Sequence, residues 1–336
     1  MSVPTRGVHH VSGISGRPQE TIEFYYRVIG LRVVKRTVNY DDPRTYHLYF
    51  GDASGSPGSL LTFFPWPGAG PGHPGASGTE EVTLRVPEGA LDYWRDRLAR
   101  HELEHATVTR FGREVVRFAD PDGTRLALVA GEAPPLPPPP PGAEPSSLLT
   151  PTRYFAPAGI APENAVMGID AVTYATPDLA AAEALLTGVL DLEASAREPG
   201  RVRLTPAGDG AGSARALELV ASSAEGPGRI GRGSYHHVAL EVEDDEALEA
   251  ARARVMAEGV PTTKVRARTY FNSVYFPGPG GGVIELATRG PGMTADEPLE
   301  ELGLAFKLPA WLEPERQAIR AQLPVTASPE YTHLYR

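Results

Sequence analysis

The chain has no cysteine, which excludes disulfides, thiolate zinc sites and a cysteine nucleophile, so any resident metal must be held by His, Asp or Glu. It has no apolar run approaching the roughly 18 residues of a membrane-spanning helix, so no membrane association is expected. With a formal net charge of -10 there is no basic stripe of the kind that neutralises phosphates, which argues against a nucleic-acid partner. The opening segment MSVPTRGVHHVSGIS has no apolar stretch before a small-residue cleavage site, and a cytoplasmic protein is expected. These absences point to a globular protein that acts on a small molecule, and they leave a homo-oligomer open.

A length of 336 residues suits about two domains. The segment APPLPPPPPG, Ala133 to Gly142, cannot be a helix interior or a central strand, because proline fixes φ and lacks the backbone donor. It divides the chain into an N-terminal domain at 1–132, a linker at 133–166, a C-terminal domain at 167–290 and an extension at 291–336 that looks like a cover. Within each half the same order of signals recurs: an alternating strand, an amphipathic helix, then shorter strands closed by a glycine turn. Four βαβββ units result, opening with GVHHVSGIS, TEEVTLRVP, GIDAVTYAT and SYHHVALEV. The glycine-rich PGPGGGV at Pro277 to Val283 lacks the following Lys and helix of a phosphate loop and reads as a hairpin turn.

Aligning the units gives two informative columns. The opening strands place His10, Glu81, Ala171 and His237 together, and the closing strands place Thr62, Ala127, Glu218 and Glu285. Units one and four thus offer two imidazoles and one carboxylate, His10, His237 and Glu285. Such a set holds one face of an octahedral ion and leaves positions open for two reactants, which suits Fe(II) oxygen chemistry, and Mn(II) by the same ligands. A carboxylate at Thr62 would instead complete the ligation and favour Lewis-acid isomerisation. Glu81 and Glu218 have no imidazole beside them and are expected to be scaffold residues with solvent or salt-bridge partners. His47, His73, His101, His105 and His333 have no equivalents in other units and read as surface or packing residues.

The stretches HHVSGISG, GLRVVKRTVNYDDPRTYHLYFGD, GSPGSLLTFFPWPG, HHVAL and RTYFNSVYFPGPGGGVIELAT, in that order, carry a resemblance. The chain resembles the vicinal oxygen chelate superfamily (glyoxalase, bleomycin resistance and extradiol dioxygenase proteins), and within it the hydroquinone ring-cleaving dioxygenases. The resemblance implies an α+β fold of four βαβββ modules forming two cup-shaped mixed-sheet barrels. It also implies an Fe(II) enzyme that opens para-hydroquinones with O2, with His10, His237 and Glu285 on the metal. It places His9, His236, Arg268 and Tyr275 around the reactants, although alternation alone would turn His9 and His236 away from a cup that His10 and His237 face. Ser12, two positions past His10, should contact substrate; the resembled dichlorohydroquinone enzyme has Thr there, which leaves the ring substituents open. The competing readings are a glyoxalase-like metal-dependent isomerase or transferase and a metal-free small-molecule binding or resistance protein.

Overall fold

The computed structural model describes residues 5–133, 155–157, 159–210 and 214–327. Nearly all of the proline-rich run, and His333, lie outside the described residues.

Four repeats of strand, helix and three strands are present. Module one holds β1 (Val8–Ser15), α1 (Pro18–Glu23), β2 (Arg32–Asn39), β3 (Asp42–Gly51) and β4 (Leu60–Pro65). Module two holds β5 (Gly78–Val86), α2 (Leu91–Arg100), β6 (His105–Arg110), β7 (Arg113–Ala119) and β8 (Arg125–Ala130). Module three holds β9 (Ile169–Thr176), α3 (Leu179–Leu190), β10 (Leu192–Glu198), β11 (Arg201–Pro206) and β12 (Ala216–Ala221). Module four holds β13 (Tyr235–Val242), α4 (Asp245–Ala257), β14 (Arg266–Ala267), β15 (Phe271–Pro277) and β16 (Val283–Pro291). Local chemistry explains the boundaries. Pro18 opens α1 at a position where its missing N–H is no loss, and the Asp178 and Asp244 carboxylates cap α3 and α4 by accepting from Ala181 N and Ala247 N. The turn at Gly278 to Gly282 joins β15 and β16 as the expected hairpin, with Gly280 at φ +82° and Gly281 at φ +115°, where a side chain would be strained.

The modules combine across the two halves of the chain. Modules one and four form one curled eight-stranded sheet, in the order β14-β15-β16-β13-β1-β4-β3-β2, and modules two and three form the other, in the order β10-β11-β12-β9-β5-β8-β7-β6. Each sheet is mixed. Its two opening strands meet antiparallel at the centre, β1 on β13 and β5 on β9, and each closing strand runs parallel to the opening strand of its own module. Alternation sends Val11, Val82, Val172 and Val238 to the outer faces, where they join Tyr25, Trp94, Leu186 and Leu248 of the helical layer in one continuous core. Opposite side chains enter the concave faces. Among the described residues no helix is long and apolar enough to cross a membrane.

The segment after β16 is strapped along β2. Arg36 Nε donates to Gly303 O at 2.9 Å, Lys307 N donates to Arg36 O at 2.9 Å, and α5 (Arg316–Gln322) packs Ile319 against Val38. Met293 and Leu302 of this segment join Val34, Tyr49, Leu60, Tyr270 and Phe271 in a small apolar cluster that closes one end of the first cup. The segment after residue 290 thus packs against side chains of β2, β3 and β4. Its anchor is Lys35, wholly buried, which is paired with Asp296 at 2.6 Å and with Glu297. Removing one partner of a buried pair strands the other charge. Lys35→Met is expected to lower the unfolding free energy by about 3 kcal/mol in urea titrations, and an unchanged midpoint would show that the strap is held without this clamp.

Candidate metal centre

The strand registers reproduce both columns read from the sequence. Ser12 lies opposite Thr62 on β4, and Ala239 opposite Glu285 on β16, so His10 with Thr62 and His237 with Glu285 occupy equivalent places in modules one and four. The second sheet repeats the geometry, with Thr83 opposite Ala127 and Thr173 opposite Glu218. Because β1 and β13 are central neighbours, residues 227 positions apart meet: His10 Nε2 and His237 Nε2 are 3.3 Å apart. Glu285 Oε2 lies 3.3 Å from His10 Nε2 and 2.9 Å from His237 Nε2.

These spacings match three ligands of one ion, since donors held about 2.1 Å from a metal in adjacent positions lie about 3 Å apart. His10 is 2% exposed, His237 4% and Glu285 0%, and neither Glu285 oxygen has a hydrogen bond of good geometry. A buried carboxylate aimed at two imidazole nitrogens without bonding to them is a donor set converging on a common point, and the residues present therefore fit a metal. Burial alone would raise the Glu285 pKa, but the facing His10 and His237 hold it well below the ordinary carboxylate value. Among the described residues this is the one cluster of His, Asp or Glu with ligand spacing.

The four histidines are brought together by two β-bulges. Between Val8↔Leu240 and His10↔Ala239, β1 advances two residues while β13 advances one, so His9 is the extra residue; between Ser12↔His237 and Gly13↔Tyr235 the extra residue is His236. A bulge re-aims the side chain it inserts, and both extra imidazoles turn toward their neighbours instead of alternating away. His9 Nδ1 lies 2.9 Å from His10 Nδ1, and His236 Nδ1 lies 2.7 Å from His237 Nδ1. A His that offers Nε2 to a metal carries its proton on Nδ1, so each bulged His accepts that proton's bond and fixes the ligand's tautomer and ring plane.

The other expected site residues divide by depth. His9 is 2% exposed, beside His10 and against Phe271. His236, Tyr275 and Arg268 are half-buried at the mouth. Tyr275 lies directly opposite Glu285 in the β15–β16 register, with its ring 5.7 Å from that of His237, and the Arg268 guanidinium sits 5.4 Å from the centre of the Tyr275 ring and 3.0 Å from Asp41. Burial first, then the Glu285 charge, keeps the Tyr275 hydroxyl protonated well above its ordinary pKa. Ser12 is buried on the floor, and its Oγ lies 2.7 Å from Thr62 Oγ1.

One residue read from the sequence as surface or packing belongs to this floor. His47 Nε2 lies 2.9 Å from Thr62 Oγ1, its Nδ1 lies 2.9 Å from the Tyr49 hydroxyl, and its ring stacks on Phe64 at 4.2 Å. His47 has no equivalent histidine in module four, where Ser273 takes its place in the register, so a search for repeated histidines passes over it. Alternation in the segment YHLYF, counted back from the hairpin partner of Thr62, is the signal that would have found it. His73 and His101 are exposed and His105 is half-buried, all outside the cluster.

In the second cup Glu81 pairs with Arg110 and with Arg117 at 2.7 Å, and Glu218 pairs with Arg203 at 2.6 Å and Arg201 at 3.3 Å. Guanidinium groups fill the space that corresponds to the metal centre, as expected of scaffold carboxylates.

His9, His47, His236 and His237 are all held below the ordinary imidazole pKa, chiefly by burial, His236 at about 4. Unfolded imidazoles take up protons near pH 6.5, whereas these do so only at lower pH. The unfolded state thus binds more protons below that point, and stability falls with pH. Chelator-treated protein is expected to lose unfolding free energy steadily from about pH 6.5 toward pH 4, and His236→Gln to flatten the slope. A level urea midpoint across this range would mean that the imidazoles are not buried neutral.

Comparison with known proteins agrees with this geometry. The family model described as the glyoxalase/bleomycin resistance protein/dioxygenase superfamily matches residues 7–128 and 168–286. Bacillus subtilis strain 168 has a relative named as a ring-cleaving dioxygenase, MhqO, 36% identical over 326 residues that cover 96% of this chain and 97% of that one. The chlorohydroquinone/hydroquinone 1,2-dioxygenase of Sphingobium indicum is 30% identical over 93% of this chain and 95% of its own. A crystal structure of a dioxygenase relative from B. subtilis superposes with a TM-score of 0.85 at 36% identity, covering 96% of this chain and 98% of that one. The chain belongs to the glyoxalase/bleomycin resistance protein/dioxygenase superfamily and is a dioxygenase of that family.

Proposed function

We propose that the chain is an Fe(II)-dependent, extradiol-type dioxygenase that opens bare or substituted para-hydroquinones with O2. The observation that carries this reading is the converging His10, His237 and Glu285 set with a hydroxyl, Thr62, at the fourth equivalent place. Three ligands on one face leave room for two reactants, where a fourth carboxylate would suit an isomerase. The name of the Sphingobium relative supports the substrate class. Fe(II) fits the ligands, as Mn(II) does, and supplies redox-active positions at which an aromatic oxygen and O2 can meet.

The chain's own side chains account for binding and proton handling. Tyr275, protonated and facing the mouth beside Glu285, can donate a hydrogen bond to a substrate oxygen and hold or return a proton there. Arg268, stacked on Tyr275, places a permanent cation where a hydroquinone's charge must be balanced. His236 is neutral at pH 7 and half-buried at the mouth; with Nδ1 accepting from His237 it carries its proton on Nε2 and can donate a hydrogen bond to a substrate oxygen. His9 is as buried as His10, lies against Phe271 and acts by holding His10. Phe64 and Phe271 add apolar walls against His236 and His10.

Ala substitutions at His10, His237 or Glu285 are each expected to remove bound metal from protein purified without oxygen, whereas Glu81→Gln and Glu218→Gln keep it. Metal analysis decides; full iron in any ligand variant would remove that residue from the centre. A catechol offers two adjacent oxygens and a hydroquinone one, so a pocket that orients the far hydroxyl with protein groups should favour hydroquinones. Oxygen uptake by the iron-loaded enzyme is expected to show higher kcat/KM for methyl-, chloro- and unsubstituted hydroquinones than for matched catechols, and Tyr275→Phe should keep iron but slow turnover by roughly 10². Better catechol turnover would sink the hydroquinone assignment while leaving the metal centre intact.

A further inference from the structure

We infer that Tyr49 and His47 are positioning residues that set the direction of a hydrogen-bond relay and make the Ser12 hydroxyl a donor into the metal cup. Four groups stand in line: the Tyr49 hydroxyl is 2.9 Å from His47 Nδ1, His47 Nε2 is 2.9 Å from Thr62 Oγ1, and Thr62 Oγ1 is 2.7 Å from Ser12 Oγ. A neutral imidazole has one N–H and one lone pair, and the Thr62 hydroxyl, fully buried, has one proton and no hydrogen-bond partner besides His47 and Ser12 among the described residues, so with the His47 and Thr62 protons both bonded the three bonds run together in one of two directions. Either Tyr49 donates to His47, His47 to Thr62 and Thr62 to Ser12, or every bond is reversed. His47 is kept neutral by its burial, so both nitrogens cannot donate at once.

Surroundings choose the direction. Tyr49 is 2% exposed and packs among Val34, Leu60, Tyr270, Phe271 and Met293, and its hydroxyl has no hydrogen-bond partner other than His47 among the described residues. In the reversed relay its proton would have no acceptor among the described residues, and a buried donor left so costs about 1–3 kcal/mol. A phenol is also a better donor than an aliphatic hydroxyl, which favours Tyr49 giving its proton to the imidazole nitrogen. In the forward relay the one uncommitted proton is that of Ser12. Ser12 is two residues past His10 on the same face and directly opposite His237, and therefore has the cup in front of it. The Thr62 corner of the site thus presents, through Ser12, a proton where its equivalent, Glu285, presents a charge.

A donor at this corner selects for an oxygen that arrives deprotonated or gains negative charge in the reaction. This step rests on the hydroquinone reading; the direction of the relay does not. The first test is ¹⁵N-edited histidine NMR of the full chain after chelator treatment, with His47 assigned by loss of its signals in His47→Asn. The expected result is a His47 protonated on Nε2, and a population shift toward the Nδ1–H form in Tyr49→Phe. Protonation on Nδ1 in the parent protein would overturn the proposal. The second test uses the iron-loaded enzyme with hydroquinone: Ser12→Ala and Tyr49→Phe are each expected to keep bound metal and lower kcat/KM about tenfold, the scale of one hydrogen bond, with the double variant no worse than the weaker single. Independent, multiplying losses would break the relay into unconnected contacts. Should the parent open no hydroquinone, the substrate reading falls and the NMR result still decides the relay.

Discussion

Glu285 keeps its carboxylate with no exposed surface, and an unpaired charge in such a place costs several kcal/mol. The first sheet is organised around answering that charge. Two imidazoles approach it from the central strand pair, and each is braced by a second imidazole raised on a β-bulge, so the alignment of the donor atoms is built into the backbone. The second sheet meets the same requirement differently. Its carboxylates Glu81 and Glu218 stand at equivalent places and are answered by arginines, and the cavity beside Arg110 and Glu218 measures only about 10 Å³. One module repeated four times thus yields one reactive centre and one ion-paired scaffold, and the side chain opposite each buried acid decides which.

Much of this was legible in the residues. The two His-His pairs, the glycine turns and the single late carboxylate sit at fixed distances from the ends of repeated strands, and the registers place His10, His237, Thr62 and Glu285 as the aligned columns require. The bulges were not legible. Alternation sends His9 and His236 to the outer face, and an extra residue in one strand of a pair is a property of both strands at once, which one segment cannot announce. His47 was missed for a related reason. Its partner Thr62 is 15 residues away and Ser12, which bonds Thr62, is 35, and its importance comes from occupying the non-ligating half of a near-symmetric site, where repetition gives no signal. The strap after residue 290 was visible as an extension, but Lys35 reads as an ordinary strand lysine until Asp296 and Glu297 close over it.

The pairing of module one with module four has a temporal consequence. His10 leaves the ribosome 275 residues before Glu285, and the strap that closes the cup follows later still. Until then β1 has no central antiparallel neighbour, while modules two and three, adjacent along the chain, can already form their own sheet. Contacts between such distant segments form slowly because the intervening loop must close first. During synthesis the ion-paired sheet is in a position to serve as the template on which the other is completed, and the three donor side chains can meet only once β16 has emerged.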